Sequence, residues 1–368
     1  LFMCTGYYRY DEGYTPQFEG TDSYTGQIVH PQHWSDQVEH AGKRVVVIGS
    51  GATAVTLVPA LAESAEHVTM LQRSPSYVVS LPGEDPLAKV VRRVLPAKAA
   101  YSVVRWKNVL VAMLVYQLSR RRPSLVKRLV RRAIERQLPP GYDVDTHFTP
   151  SYDPWDQRMC LVPDSDLFAT LSSGGASIVT DHIDTFTPNG LRLRSGKELK
   201  ADIVVTATGL NLLALGGTEL TVDGRRVDVS KTMAYKGMML SGVPNLALAF
   251  GYTNASWTLK ADLTCGYVCR LLNHMDAHGY THCTPINDDP SLTDEPFLDF
   301  SSGYVQRSIH LFPKQGSRVP WRVHQNYARD LLSLRRSELE DGELHFSRSG
   351  GDQVTSAQPS QPLATASA

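Results

Sequence analysis

Two short segments carry the residues best suited to binding a dinucleotide. The first is the glycine loop Gly49-x-Gly51-x-x-Ala54, which directly follows the apolar run Arg44–Ile48. Gly49 permits a tight turn, Gly51 lets the backbone approach a pyrophosphate, and Ala54 lets the next helix pack closely on the strand. The phosphates would lie at the helix N-terminus, where free N–H groups favour anions. A tight turn without a ligand is the alternative. The residues predicted to bind the cofactor here are Gly49, Ser50, Gly51, Ala52, Thr53 and Ala54.

The second segment follows the next predicted strand, Val68–Leu71. Sites for NAD place an acidic residue there for the ribose 2′-hydroxyl, whereas this chain has Gln72-Arg73-Ser74. A guanidinium beside a hydroxyl suits a 2′-phosphate, because it makes a charge-assisted bidentate contact. We therefore predict that Arg73 and Ser74 bind NADP rather than NAD. The alternative is that Arg73 is an ordinary surface charge.

The elements that must position these segments indicate an α/β fold. The run 44–48 does not alternate with polar residues, which is typical of a parallel strand buried on both faces. The sequence also predicts strands at 177–180, 191–193, 202–206 and 244–250, and a helix from Trp257 to about residue 274. Turns are expected at 189–190, 195–196 and 223–224. Strands that alternate with helices favour an α/β architecture.

Composition excludes several classes of protein. The chain has 37 Lys and Arg against 37 Asp and Glu, and it is 42% hydrophobic and 20% charged. These values fit a folded globular protein and argue against a globally basic nucleic-acid binder. None of the five cysteines forms a CxxC motif. A disulfide framework, a zinc ribbon and a dithiol redox site are therefore not expected, and a reducing cytoplasm is the predicted location.

Residues 89–136 form a strongly basic helical segment. They include 14 Lys and Arg against one acidic residue, Glu135, with apolar residues at helical spacing. The longest apolar run, 109–116, is too short to span a membrane. Two interpretations remain open: the segment lies on an anionic membrane surface, or it is a lid over the NADP and substrate sites.

Several motifs together resemble a known family. The strand Asp202–Gly209 ends in Ala-Thr-Gly, and Cys4-Thr5-Gly6 repeats this pattern. Paired with the glycine loop, these segments resemble the two-dinucleotide-binding flavoproteins. The pattern Phe18-x-Gly20…His30-x-x-x-Trp34 resembles the fingerprint of the Baeyer–Villiger monooxygenases. The runs at 30–34, 47–57, 154–158 and 251–257 resemble the ethionamide-activating branch of these flavin-containing enzymes. Nine residues separate Gly20 from His30, a longer spacer than the family pattern has, and Ser35 stands where Pro or Asp is usual.

The resemblance implies a fold with a Rossmann-like NADP domain inserted in a FAD domain. It implies that the chain passes from one domain to the other at Thr5-Gly6 and at Thr208-Gly209. The expected ranges are 1–42 for part of the FAD domain with the fingerprint loop, 43–208 for the NADP domain with a basic insert at 85–150, 209–345 for the C-terminal part of the FAD domain, and 346–368 for a disordered tail. No second GxGxxG is present, so the chain is expected to be a fragment that begins after the first FAD segment.

The resemblance also implies a function. Family members use NADPH, FAD and O2 to form a C4a-peroxyflavin, which inserts oxygen into ketones to give esters and oxidises thioamide or thioether sulfur. Arg158 is the implied catalytic cation, because an anionic peroxide needs a fixed positive charge. A structural ion pair with Asp153 or Asp156 is the alternative role. Gln157 stands where relatives carry a Lys that reaches the 2′-phosphate.

Further site residues follow from the same resemblance. Gly209, Asn254 and Ser256 are expected to bind the cofactor, with the helix after Ser256 facing the flavin. Ser256 acting simply as an N-cap is the alternative. Phe18, Gly20, His30 and Trp34 belong to the fingerprint, with His30 and Trp34 expected at the domain hinge.

Other functions remain as alternatives. A flavin disulfide reductase is disfavoured because no redox-active Cys pair exists. An inactive fragment that binds only NADP and a membrane-surface module are the other readings. The repeat of His274, His278 and His282 is predicted to be a solvated helix end rather than a metal site, and Cys265 and Cys269 are predicted to be small core residues.

Overall fold

A computed structural model describes residues 1–298 and 300–348. Its strands are β1 (Phe2–Met3), β2 (Tyr8–Gly13), β3 (Gln27–Val29), β4 (Arg44–Ile48), β5 (His67–Gln72), β6 (Val78–Leu81), β7 (Cys160–Pro163), β8 (Ala176–Thr180), β9 (Ile183–Thr187), β10 (Gly190–Leu193), β11 (Glu198–Lys200), β12 (Ile203–Thr206), β13 (Leu210–Leu212), β14 (Thr221–Val222), β15 (Arg225–Arg226), β16 (Ala234–Tyr235), β17 (Met239–Leu240), β18 (Ala247–Leu248), β19 (His282–Pro285), β20 (Asp294–Pro296), β21 (Lys314–Gly316) and β22 (Leu344–Ser347). Its α-helices are α1 (Ala52–Ala62), α2 (Pro86–Val94), α3 (Ala97–Arg121), α4 (Pro123–Glu135), α5 (Val144–Phe148), α6 (Asp166–Ser172), α7 (Trp257–His278), α8 (Gly303–Gln306) and α9 (Tyr327–Arg336).

The glycine loop belongs to a five-stranded parallel sheet with the order β3-β12-β4-β5-β8. Val45 and Val47 of β4 face a core that contains α1, whereas Val46 and Ile48 face a second core on the other side. Their burial on both faces confirms the prediction from the unbroken apolar run.

Different elements cover the two faces of this sheet. Helices α1, α5 and α6 pack on one face, together with Ile134 of α4. The antiparallel sheet β9-β10-β11 packs on the other face. Its turns fall at 189–190 and around 195–196, and a third hairpin turns at 223–224 between β14 and β15, all as predicted.

A second body is built from the start of the chain and from residues after 209. Strand β1 pairs in parallel with β18, and β2 pairs antiparallel with β13. Two apolar clusters fill this body, and α7 packs against α9 within it. Strand β18 covers only 247–248 of the predicted 244–250, while α7 continues to His278 and ends at Gly279, whose φ of +66° is left-handed.

The predicted domain limits need three corrections. Strand β3 lies at the edge of the parallel sheet, so the dinucleotide-binding body includes residues before 43. The first crossing lies at Tyr14 rather than at Gly6, because the Tyr14 N–H donates to the Gly209 carbonyl (3.0 Å) and the Thr208 hydroxyl donates to the Tyr14 carbonyl (2.6 Å). Strand β22 occupies 346–347 of the predicted tail, and 349–368 lie outside the described residues.

The basic segment forms helices α2, α3 and α4, as predicted. The 25-residue helix α3 extends from the dinucleotide-binding body to the second body. There it inserts Val109 into the core beside Leu263 and Tyr267, and Arg105 pairs with Asp262 of α7 (2.9 Å). Helix α3 therefore packs against the second body through Val109 and Arg105.

Candidate functional site

The glycine loop has the geometry that a dinucleotide site requires. The Gly49 N–H donates to the Leu71 carbonyl (2.8 Å), and a Cβ on Gly49, whose φ is +139°, would overlap the Ala207 carbonyl oxygen. Ala54 is fully buried under the sheet. Gly51 instead faces open space, and α1 begins after it without a side-chain cap. The N–H groups of the first turn, including those of Ala52 and Thr53, therefore lack side-chain partners.

The end of β5 lies directly against this loop. The Ser50 hydroxyl donates to the Ser74 carbonyl (2.9 Å) and lies 3.0 Å from the Ser76 hydroxyl. Arg73 is exposed beside them, and within 1–298 and 300–348 its guanidinium makes no ion pair or hydrogen bond. A free cation therefore lies next to the loop, where a 2′-phosphate would need it.

Arg158 is not part of the ion pairs that the sequence offered as its alternative role. Asp153 pairs with Lys127 of α4 (2.7 Å), and Asp156 pairs with Arg120 of α3 (2.6 Å). In the part of the chain that the structure describes, Arg158 has no carboxylate partner, and its side chain is exposed. The alternative prediction, that Arg158 forms a structural ion pair with Asp153 or Asp156, is therefore wrong.

Arg158 lies where the two bodies meet. It is close to the hydroxyls of Tyr7 and Tyr304: burial raises the pKa of both phenols, and the positive charge of Arg158 opposes that rise. The Arg158 loop is fixed to the second body because the Ser301 N–H and hydroxyl both donate to the Asp156 carbonyl (3.2 and 2.9 Å). The guanidinium is therefore held near a group of buried phenols without being neutralised.

Sequence reasoning missed Trp155 in the same loop. Its φ of +72° is left-handed, and its indole N–H is buried without an acceptor among the described residues. The ring lies edge-on to Tyr116 of α3, with centroids 5.7 Å apart. A buried donor without a partner is costly, so an acceptor atom of a ligand bound at this loop would satisfy the Trp155 N–H. Gln157, two residues along, is half-buried.

Asn254 and Ser256 lie before α7. The Asn254 amide donates to the Gln325 carbonyl (2.9 Å), which fixes the loop. The Ser256 hydroxyl is paired with the Thr258 hydroxyl (2.8 Å) and does not cap the helix. Ser256 thus occupies the N-cap position of α7, but its side chain makes no capping hydrogen bond to the first turn.

A cleft of about 710 Å³ separates α3 from the start of α7. Most of its lining side chains are apolar, and Ser256 lies at its edge. The lining residues are Arg92, Ala97, Ala100, Tyr101, Val104, Arg105, Asn108, Val109, Ala112, Ala255, Ser256, Thr258 and Leu259. A small apolar molecule could bind here, covered by α3.

The fingerprint residues fall into two groups. The His30 ring packs on Gly13 and lies 3.4 Å from the Gly209 carbonyl through Nε2, at the crossing between the bodies. Burial lowers the pKa of His30, which favours the neutral ring. Trp34 packs into the core on the α1 face of the sheet.

Phe18 and Gly20 lie on the opposite face. Phe18 contacts Phe186 of β9 (5.5 Å between ring centroids), and a Cβ on Gly20 would lie 2.5 Å from the Phe186 carbonyl oxygen. The structure therefore does not bring the four residues of the fingerprint into one site.

Arg307 is a second residue that the sequence did not point to. Its guanidinium carbon lies 3.5 Å above the Tyr14 ring, and burial lowers its pKa. It also lies beside Gly209, so it places a positive charge at the crossing that His30 contacts. No motif surrounds it, and only the tertiary structure reveals its position.

The histidine repeat is engaged in pairwise contacts. His274 Nε2 lies 2.9 Å from a Glu340 carboxylate oxygen, and His278 Nδ1 lies 2.9 Å from the His274 carbonyl. Within the described ranges, no group of three or more His, Cys, Asp or Glu is arranged to hold a metal ion. Cys265 and Cys269 are exposed, so their prediction as core residues is wrong.

Comparison with known proteins agrees with this geometry. The family model for flavin-binding monooxygenase-like proteins (FMO-like) matches residues 1–212. The FAD-containing monooxygenase EthA of Mycobacterium tuberculosis (strain H37Rv) is 54% identical over 95% of this chain and 71% of its own. The probable FAD-binding monooxygenase AlmA of Acinetobacter baylyi is 50% identical over 94% of this chain and 70% of its own.

Solved structures show the same fold. OTEMO in complex with FAD and NADP superposes with a TM-score of 0.60 at 18% identity, over 78% of this chain and 62% of that one. Oxidised steroid monooxygenase bound to NADP superposes with a TM-score of 0.61 at 22% identity, over 78% of this chain and 64% of that one. The chain thus spans less than two thirds of these solved proteins, and it shares the two-dinucleotide-binding architecture with them.

Proposed function

The chain belongs to the flavin-binding monooxygenase-like family, and on that premise we propose that it acts as an NADPH- and O2-dependent FAD monooxygenase of Baeyer–Villiger type. Its substrates are small ketones, which it converts to esters, and compounds with thioamide or thioether sulfur. Arg158 carries the proposal: it is a guanidinium without a carboxylate partner among the described residues, held where the two bodies meet.

The fit to NADP rests on the glycine loop and the end of β5. Open space over Gly51 leaves room for a pyrophosphate against the backbone and the uncapped first turn of α1. Arg73, exposed and free of partners within the described ranges, would hold the 2′-phosphate. With Gln157 in place of a lysine, most of the preference for NADP over NAD falls on Arg73.

The fit to FAD rests on the loops that meet at the crossing. The buried Trp155 N–H lacks an acceptor among the described residues, and the first turn of α7 after Ser256 has no side-chain cap. When bound, a flavin supplies electron transfer and activation of O2, chemistry that no side chain can supply. Arg158 would stabilise negative charge on oxygen nearby, and it stays protonated while doing so.

The substrate class is inferred from the cleft under α3. Its lining is mostly apolar and includes Arg92 and Arg105, which suits an uncharged molecule with a polar oxygen or sulfur, such as a ketone or a thioether. The helix lid would keep water from the reacting groups. At the crossing, the neutral His30 beside Gly209 would link movement of the two bodies to the site.

Arg158 variants test the proposal. We expect Arg158→Ala in the FAD-reconstituted chain to bind NADPH with unchanged affinity while product formation falls about 100-fold or more. Arg158→Lys keeps the charge and should recover part of the activity. Arg225→Ala, an exposed arginine on the β14–β15 hairpin, serves as the control. Equal product formation by Arg158→Ala and the parent chain would overturn the assignment.

The same experiment distinguishes the alternative of a chain that only binds NADP. In that case, the parent chain would bind NADPH and form no oxygenated product from any ketone or sulfide. A peripheral contact with a membrane through 89–136 is proposed separately, because it depends on other residues.

A further inference from the structure

The basic insert exposes an unusual amount of apolar surface. More than half of the large apolar side chains that are exposed in the described residues lie between Leu87 and Leu129, although this range is a small part of the chain. Isolated exposed apolar residues are normal, but a contiguous group of them marks an interaction surface.

Helix α3 is apolar on two opposite sides. Val109, 3% exposed, faces the core of the second body, whereas its neighbour Leu110 is 59% exposed. Leu110 shares one side of the helix with Val103 and with Leu114, which is 68% exposed, because residues three, four or seven apart lie on the same side. A contiguous apolar side that is exposed in this way marks a surface for a partner.

Helix α2 repeats the pattern on a smaller scale. Leu87, Val90 and Val94 lie on one side of the helix and are all exposed. Arg93, three residues after Val90, lies at the edge of this apolar side, and Arg92 lies on the other side of the helix. An exposed apolar stripe on a helix whose other side is basic is the pattern of helices that lie in the plane of a membrane interface.

Much of the positive charge of the insert is not neutralised within the protein. Carboxylates pair with Arg105, Lys107, Arg120, Lys127 and others. The basic residues of 89–136 that make no ion pair within the described ranges are Arg92, Arg93, Lys98, Arg121, Arg122, Arg128, Arg132 and Arg136. Arg121 continues the side of α3 that carries Leu110 and Leu114, and Arg128 and Arg132 lie close to the exposed Leu125 and Leu129 on α4.

We propose that the outer side of α2 and α3 binds peripherally to the surface of an anionic lipid bilayer. The apolar side chains would enter the boundary between headgroups and acyl chains, while the unpaired arginines contact the lipid phosphates. Within 1–298 and 300–348, no helix is long and apolar enough to cross a membrane, so the contact is superficial. Charge favours lipid over a second copy of the chain, because two copies would bring their unpaired arginines together.

Vesicle sedimentation of the whole chain tests this surface. Phosphatidylcholine vesicles that contain phosphatidylglycerol should bind it, vesicles of phosphatidylcholine alone should bind it much less, and high salt should weaken the binding. Leu110→Glu with Leu114→Glu should lower the partition coefficient about 100-fold, because charges replace two leucines that would enter the bilayer. Leu272→Glu with Leu332→Glu, at exposed leucines of α7 and α9, is the matched control and should bind like the parent.

The electrostatic part is tested by Arg93→Glu with Arg121→Glu, two exposed arginines on the outer side, which should weaken binding to anionic vesicles about 25-fold or more at low salt. Circular dichroism and thermal unfolding verify that each variant is folded. Two outcomes overturn the proposal. One is a parent chain that does not bind anionic vesicles. The other is a folded Leu110→Glu, Leu114→Glu variant that keeps full vesicle binding. If the parent does not bind vesicles and light scattering shows that it is a dimer which this variant turns into a monomer, the surface binds a second copy of the chain instead.

Discussion

Removing the guanidinium of Arg73 tests the cofactor preference most directly. Hydrogen bonds to charged groups contribute about 1.5–3 kcal/mol, and a tenfold change in Kd corresponds to about 1.4 kcal/mol. Arg73 is exposed and is not held by another residue in the described ranges, so the value belongs toward the lower end. We expect Arg73→Ala to raise the Kd for NADPH about 10- to 30-fold and to leave the Kd for NADH nearly unchanged.

The assay is isothermal titration calorimetry, in which the chain is titrated with NADPH or NADH at low and at high salt. The preference of the parent for NADPH should shrink as salt increases, because screening lengths fall from about 30 Å at 0.01 M to about 3 Å at 1 M. Arg225→Ala, which removes an exposed arginine far from the glycine loop, should change neither Kd. Equal weakening of NADPH and NADH by Arg73→Ala would refute the reasoning, since it would mean that Arg73 supports the loop rather than the 2′-phosphate.

Four further substitutions test the scaffold and the glycine loop. Gly49→Ala should lower the free energy of unfolding by about 2 kcal/mol or more because its Cβ would overlap a backbone oxygen. A Cβ on Gly51 would point into open space, so Gly51→Ala should lower the free energy of unfolding by less than about 1 kcal/mol and yet weaken NADPH binding. Urea unfolding measures the first effect, and titration with NADPH measures the second. Lys260→Met should cost about 3–5 kcal/mol in urea unfolding, because it leaves a buried Asp330 carboxylate without its cation. Hydrogen bonds from an arginine lower the Asp202 pKa from 3.8 to about 2. Their stabilisation is present above pH 3.8 and lost as pH falls toward 2, so Asp202→Asn should flatten thermal stability in that window.

The parallel sheet could be predicted from the sequence because its signals are local. The run 44–48 is buried on both faces. The loop that follows it needs glycine at 49, because the φ there is positive and a Cβ would overlap the Ala207 carbonyl oxygen. Hairpin turns at Asn189 and Asp223 are equally local, since they depend on residues that tolerate positive φ. Element ends were less accurate, as α7 shows by running to His278.

The surroundings of Arg158 could not be predicted, because they depend on tertiary structure. Asp153 and Asp156 are the nearest acidic residues in sequence, but the insert helices supply Lys127 and Arg120 to pair with them. Which cation reaches a carboxylate is decided by helix placement rather than by sequence separation. Arg307 could not be predicted either, because only the tertiary structure brings it to Tyr14 and Gly209.

The contact of His30 with Gly209 illustrates the same limit. Their separation along the chain is large, and only the crossing of the two bodies brings the ring to the Gly209 carbonyl, 3.4 Å from Nε2. The fingerprint predicted that His30 and Trp34 lie near a hinge, yet it carried no information on their distance from Phe18. Phe18 lies on the other face of the sheet because Phe186 of β9 supplies its packing surface there.

The two interpretations of the basic segment, a lid and a membrane contact, require opposite sides of the same helix. In α3 the side that carries Val109 lines the cleft and enters the core of the second body, while the side that carries Leu110 and Leu114 is exposed. A lid alone explains the first side and leaves the second without a reason, because a solvated lid would carry polar residues there. A membrane contact alone does not explain the buried side. Under the proposed membrane contact both sides of α3 have a use, the Val109 side toward the cleft and the Leu110 side toward lipid.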